Sequence, residues 1–238
     1  MLFAQKIADL SQQPLEQAVL HYTALYRIFG LDWTLDPTNP VWQAYSVGLQ
    51  REPDRIDYTY RFYLQRYDSI PKFADEEHWG CFSYSHNAKD RSIHIHFADE
   101  DRSPYGALSS RRVDARKSEL KAMFAAVQSR HSEAEFVSGG SWLYNWESYR
   151  RLFPPAYVQA VHEDETRYPS IWGQLPGRAI WGQFLRRNWQ VHQETMDLFL
   201  QRVSQLERAE DYLQCFPYQV LRTEAPIQDF YTFYKITL

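Results

Sequence analysis

The chain has 238 residues, 44% of them apolar, 24% charged and 16% aromatic, with 26 Lys and Arg against 30 Asp and Glu. At about 100–200 residues per domain this is one large domain or two small ones, and such a length buries roughly 70% of the unfolded surface without disulfide staples. The net charge of −4 and pI near 6.1 argue against a general nucleic-acid binder, and two cysteines, Cys81 and Cys215, are too few for a disulfide framework or a Cys-rich zinc site.

No apolar run approaches the ~20 residues that a bilayer crossing needs. Asp9 and Glu16 interrupt the amino-terminal apolar segment, so a cytoplasmic location is expected and no membrane partner. Eight Trp, 17 Tyr and 14 Phe read mainly as core filling with polar tips at its edge; a minority would suit the lining of an apolar cleft.

Residues 1–30 read as helical, with Leu2, Ile7, Leu10, Leu15, Val19, Tyr22 and Phe29 recurring at spacings near three and four. Pro14 splits the stretch into two helices, and Gly30 fits a helix stop. The segment 35–40, with Pro37, Asn39 and Pro40, is a loop leading into a short helix at Val41, and residues 54–67 favour helix. Trp79–Ser85 and Ser92–Ala98 are β-like runs separated by the polar turn 86–91. In the second run Ile93, Ile95 and Phe97 alternate with His94 and His96, which puts both imidazoles on one strand face.

A loop over 99–110 leads to an amphipathic helix from Arg111 to about Arg130, carrying Val113, Leu120, Met123, Phe124 and Val127. Residues 134–145 read as a strand broken at Gly139–Gly140, 147–153 as a short helix stopped by Pro154–Pro155, and 157–164 as another strand. The tetrad Ile171-Trp-Gly-Gln174 recurs as Ile180-Trp-Gly-Gln183, too few copies for a solenoid. Residues 189–212 are the longest helical candidate, and the tail returns to strands broken at Pro226. The sum is a mixed α/β fold: a helical amino-terminal region over 1–75 and an α/β domain over 76–238.

Three constellations could carry chemistry. His94 and His96 point to one strand face, as chelation of a single metal requires, and Asp99 and Glu100 follow closely; a solvated histidine pair is the plainer reading, and no metal is expected. Arg102-Ser-Pro-Tyr-Gly106-Ala107, with Arg111, Arg112 and Arg116 behind it, joins a strand to a helix start. Free backbone N–H groups and basic side chains there suit a phosphate or pyrophosphate, although no Gly-Lys-Ser/Thr follows as in a P-loop. Ser138-Gly-Gly140-Ser141-Trp142 places glycines inside a strand, where a ligand can approach backbone donors. Ser141 lacks the Gly-x-Ser-x-Gly context of a hydrolase nucleophile.

The succession of residues 92–124, 134–145 and 149–161 resembles GNAT-like acyltransferase domains, in particular a carboxy-terminal GNAT-like domain preceded by a helical one. The likeness runs through a strand with His94, a helix, a strand ending in Ser141-Trp142-Leu143 and a short helix closing on Leu152-Phe153-Pro154. It covers about residues 79–185. Arg102-x-x-x-Gly106-Ala107 stands where that family carries Arg/Gln-x-x-Gly-x-Gly/Ala.

The resemblance implies an acyl-CoA cofactor and an amine acceptor. Acyl-CoA would lie on Arg102, Gly106, Ala107, Arg111, Arg112, Gly140, Ser141 and Trp142, with backbone N–H groups near Gly139–Ser141 polarising the thioester oxygen. Glu100, His94 or His96 would serve as base, and Tyr144 or Tyr149 would protonate the leaving thiolate. The alternatives are a non-catalytic binding protein on the same fold, with the aromatic stretch 168–189 facing a protein partner, and a His-based metal site. Fold alone does not choose among them.

Overall fold

The computed structural model describes residues 1–29, 36–66, 77–163, 180–186 and 190–237. The helix stop expected at Gly30 and the first tetrad, 171–174, lie outside them, as does most of the aromatic stretch 168–189. The chain forms two compact units. Met1–Ala74, Thr166–Arg186 and Val191–Pro217 make the first; Asp75–Glu165, Arg187–Gln190 and Tyr218–Leu238 make the second. Residues 191–217, which the sequence reading placed in the α/β domain, thus belong with the helical unit.

In the helical unit, α1 (Leu2–Ser11) ends on left-handed Gln12, and Pro14 caps α2 (Leu15–Tyr22). Helix α3 (Pro40–Arg51) starts where the Asn39 side-chain Oδ1 accepts from the Val41 and Trp42 N–H groups, the usual way an orphan helix start is satisfied. Asp54 does the same for α4 (Arg55–Arg66) through Ile56 and Asp57. Phe3, Phe184, Phe199 and Phe216 are all buried, and Phe3 and Phe184 each meet the touching pair Phe199 and Phe216, which ties α1 to the later segment.

The α/β unit holds a five-stranded sheet in the order β1-β2-β3-β5-β4. Its strands are β1 (Phe82–Asn87), β2 (Ser92–Phe97), β3 (Phe136–Ser141), β4 (His162–Glu163) and β5 (Leu221–Pro226). β1 and β2 form an antiparallel hairpin paired over six residues, turned by an Asn87 side chain that accepts from Lys89 and Asp90 N–H. Helix α5 (Val113–Arg130) crosses from β2 to the parallel β3. Short helices α6 (Glu147–Arg150) and α7 (Pro155–Gln159) follow β3. One sheet face is apolar: Phe82, Ile93, Ile95, Val137 and Ala225 share a core with Leu120, Met123, Phe124 and Val127 of α5. The other face carries, at alternate positions, Ser83, Ser85, His94, His96, Ser138, Gly140, Arg222 and Glu224.

Three expectations are corrected. Of the strand expected over 157–164, the described residues 157–163 hold only the two of β4 in a strand, because Pro155 in a first turn starts α7. Helix α8 (Gln193–Gln205) has 13 residues and gives way to a tighter 3-10 segment, Ala209–Cys215; α5, with 18, is longer. After Pro226 the chain forms helix α9 (Ile227–Tyr234) rather than a strand. Its buried residues Ile227, Phe230, Tyr231 and Tyr234 recur at the helical period, and this stripe packs in the same core as α5.

Candidate functional site

The distinctive feature of the sheet is a fork. β2 and β3 run parallel and pair at Ser92–Phe136, Ile93–Val137 and His94–Ser138. There the ladder between them ends, although β2 continues to Phe97 and β3 to Ser141. Beyond the fork each strand keeps only its outer neighbour, β1 for residues 95–97 and β5 for residues 139–141. Ligands of open α/β sheets settle at such carboxyl-end crevices, where neighbouring connections diverge.

The two glycines at the fork have different reasons. A Cβ on Gly139 would overlap the hydroxyls of Tyr144 and Tyr157, which hydrogen-bond each other at 2.7 Å in the core. Gly140 faces the opposite side and is open; the nearest atom to a Cβ there is His94 Cε1 at 3.9 Å. Ser141 closes the strand: its hydroxyl accepts from the Leu143 N–H at 3.1 Å and begins a 3-10 turn over Trp142–Asn145. Through that turn the Trp142 and Trp146 rings meet edge to face, centroids 4.8 Å apart, with Tyr218 beside both.

His94 sits at the apex. Its Nδ1 lies 3.1 Å from Ser138 Oγ, His96 Nε2 lies 3.0 Å from Ser85 Oγ, and the two rings are 5.1 Å apart. Burial, with His96 and Arg222 adding to it, lowers the His94 pKa to about 4. The imidazole is therefore neutral at neutral pH and can donate with one nitrogen while accepting with the other. Among the described residues, no third His, Cys, Asp or Glu joins His94 and His96 in a group that could share one ion.

The basic helix start is organised differently from the sequence expectation. Arg116 and Asp101 each have side chains only 2% exposed and pair at 3.1 Å. Asp101 also accepts from Arg112 Nε at 2.6 Å and from the Ser103 N–H at 2.8 Å, while Arg116 additionally pairs with Glu119. Glu119 in turn accepts from the Cys81 N–H. Burial works against the Asp101 charge, but the Ser103 N–H and the two arginines outweigh it and hold its carboxyl well below the usual range. Arg112 and Arg116 are thus committed to an internal ion cluster. Arg111 lies over the Tyr105 ring at 4.6 Å, Arg102 is exposed, Ala107 is a core residue, and Gly106 has open space around it.

The fork therefore gathers His94, His96, Gly140 and Ser141 of the expected residues. Glu100 is exposed beyond the end of β2. Tyr144 does not join them. It is packed against Gly139 on the apolar side with Tyr149, Phe153 and Tyr157, and burial pushes its phenol pKa well up. Tyr149 is equally buried. Sequence reasoning missed Asp101 as the organiser of the loop, although Arg116 and Glu119 stand at the i,i+3 spacing of a helix ion pair. No family model matches the sequence, and neither the curated proteins nor the solved structures give a match.

Proposed function

We propose that the α/β unit binds an acyl thioester at the β2–β3 fork and transfers its acyl group to an amine, in the manner implied by the resemblance to GNAT-like acyltransferases. One observation carries the reading: the two adjacent parallel strands joined by α5 cease pairing at His94 and Ser138, as a ligand inserted between them requires. In the reaction the amine nitrogen bonds to the thioester carbonyl carbon, the carbon–sulfur bond breaks, and a proton passes from the amine to the departing thiolate. Along residues 139–141 the main-chain groups not taken up by β5 would serve as preorganised donors to the developing oxyanion. The His96 imidazole accepts or relays the amine proton; with a pKa near 4, His94 acts chiefly by orientation. Arg102 and Arg111 are the arginines left for the phosphates of coenzyme A.

A second reading, a ligand-binding protein without turnover on the same fold, is favoured by the internal use of Arg112 and Arg116. Thermal melts with acetyl- and longer acyl-coenzyme A separate these from a fork that binds neither, since a ligand specific for the folded state raises the melting temperature. Gly140→Leu fills the fork from an open position and is expected to abolish the rise. Release of free thiol in the presence of an amine then identifies transfer. No rise with the unaltered chain at millimolar thioester overturns both readings.

A further inference from the structure

We propose that His86, His131 and Glu133 form a site for a divalent first-row transition ion of the zinc class. The site lies away from the fork and does not depend on the function proposed above. His86 is near the end of β1, His131 directly follows α5, and Glu133 lies in the turn before β3. One ligand atom from each residue lies within 4.8 Å of the other two. The Glu133 carboxylate is the centre, with Oε1 3.1 Å from His86 Nε2 and 3.8 Å from His131 Nδ1. Zinc ligands at about 2.0–2.2 Å in a tetrahedron stand roughly 3.3 Å from one another, so small side-chain shifts would close these three onto one ion.

Two further observations favour an ion over a plain imidazole–carboxylate contact. His86 Nε2 is shielded from solvent and makes no hydrogen bond, although the Glu133 oxygen is 3.1 Å away; distance without alignment leaves a buried nitrogen unpartnered, which is uncommon. The two imidazoles lie close, centroids 4.0 Å apart with ring planes 33° apart.

The surroundings hold the ligands in place, as partners outside a metal site usually do. Arg91 Nε donates to the Glu133 main-chain oxygen at 3.0 Å, the His131 N–H bonds to the Val127 oxygen at 2.8 Å, and Tyr84 meets the His131 ring edge to face. Two imidazoles and one carboxylate suit zinc, cobalt or nickel and not magnesium or calcium, which prefer all-oxygen shells. Three protein ligands leave a position for water or a small anion. The ion would fasten β1 to the α5–β3 turn, so binding should stabilise the folded chain.

The test uses the full chain without a polyhistidine tag, stripped with chelator and titrated with zinc chloride by calorimetry and thermal melting, and with cobalt chloride by visible absorption. One ion per chain, a raised melting temperature with zinc but not magnesium, and tetrahedral cobalt bands are expected. Glu133 is about half exposed, so Glu133→Gln should fold normally while weakening zinc binding at least about tenfold; His131→Asn should do the same. His94→Gln should leave affinity and stoichiometry unchanged. No zinc uptake at micromolar concentration, or Glu133→Gln binding as tightly as the unaltered chain, overturns the site, and loss of binding in His94→Gln would move the ion to the fork.

Discussion

The Nδ1 of His94 and the Oγ of Ser138 lie 3.1 Å apart across the last paired rung of β2 and β3. The imidazole therefore stands where the sheet divides, bonded to the strand it is about to leave.

Protonating His94 should loosen the fold. Its folded pKa near 4 lies below the ordinary value of about 6.5, so the unfolded chain takes up a proton first as pH falls. The stabilisation is complete above about pH 6.5 and is lost progressively down to pH 4. Urea unfolding at pH 7 and pH 4.5 should differ by about 2–3 kcal/mol from this group alone. His21 and His131 are shifted in the same direction, so the decisive quantity is the difference from His94→Gln, which should flatten the slope by that amount. An equal slope in the variant would mean that the imidazole stays hydrated.

Gly139 and Gly140 should respond oppositely to a methyl group. Gly139→Ala drives a Cβ into the Tyr144 and Tyr157 hydroxyls, and overpacking of this kind costs roughly 1–3 kcal/mol. Gly140→Ala meets nothing nearer than the His94 ring edge, so the reduced freedom of the unfolded chain should leave it neutral or stabilised by up to about 1 kcal/mol. Chemical denaturation of the two variants side by side decides this; equal effects would show that the fork side is as tightly packed as the core side.

Much of the architecture was legible in the residues. The alternation of Ile93, Ile95 and Phe97 with His94 and His96 placed a strand and both its faces, and Pro14 placed the break between α1 and α2. The helical stripe Ile227, Phe230, Tyr231, Tyr234 was also present, yet the aromatic, β-prone composition of the tail favours strand until a core is available to receive one face of a helix. The site was less legible. Local spacing shows His94 and His96 on one face, but not that Tyr144 turns to the other, because that depends on Gly139 letting two phenols against the strand. The grouping of His86 with His131 and Glu133 spans a whole helix, and nothing in the spacing of residues 86 and 131 announces it.

The Asp101 cluster gives a second acid transition, distinct from that of His94. The Asp101 carboxyl is held below its ordinary range, so its contribution is present above an unfolded pKa of about 3.9 and is lost as pH falls through the folded value. That window begins where the His94 window ends. Asp101→Asn leaves Arg116, with a side chain 2% exposed, paired only with Glu119. Removing one partner of a buried ion pair should destabilise the fold by about 3 kcal/mol at neutral pH and remove the loss below pH 4, while the slope between pH 6.5 and 4 persists. Thermal melts of Asp101→Asn and His94→Gln across pH 3–7 should each erase one limb and spare the other. Loss of both limbs in a single variant would show that loop and fork unfold as one cooperative element, and the arginines at the helix start would then be coupled directly to the state of His94.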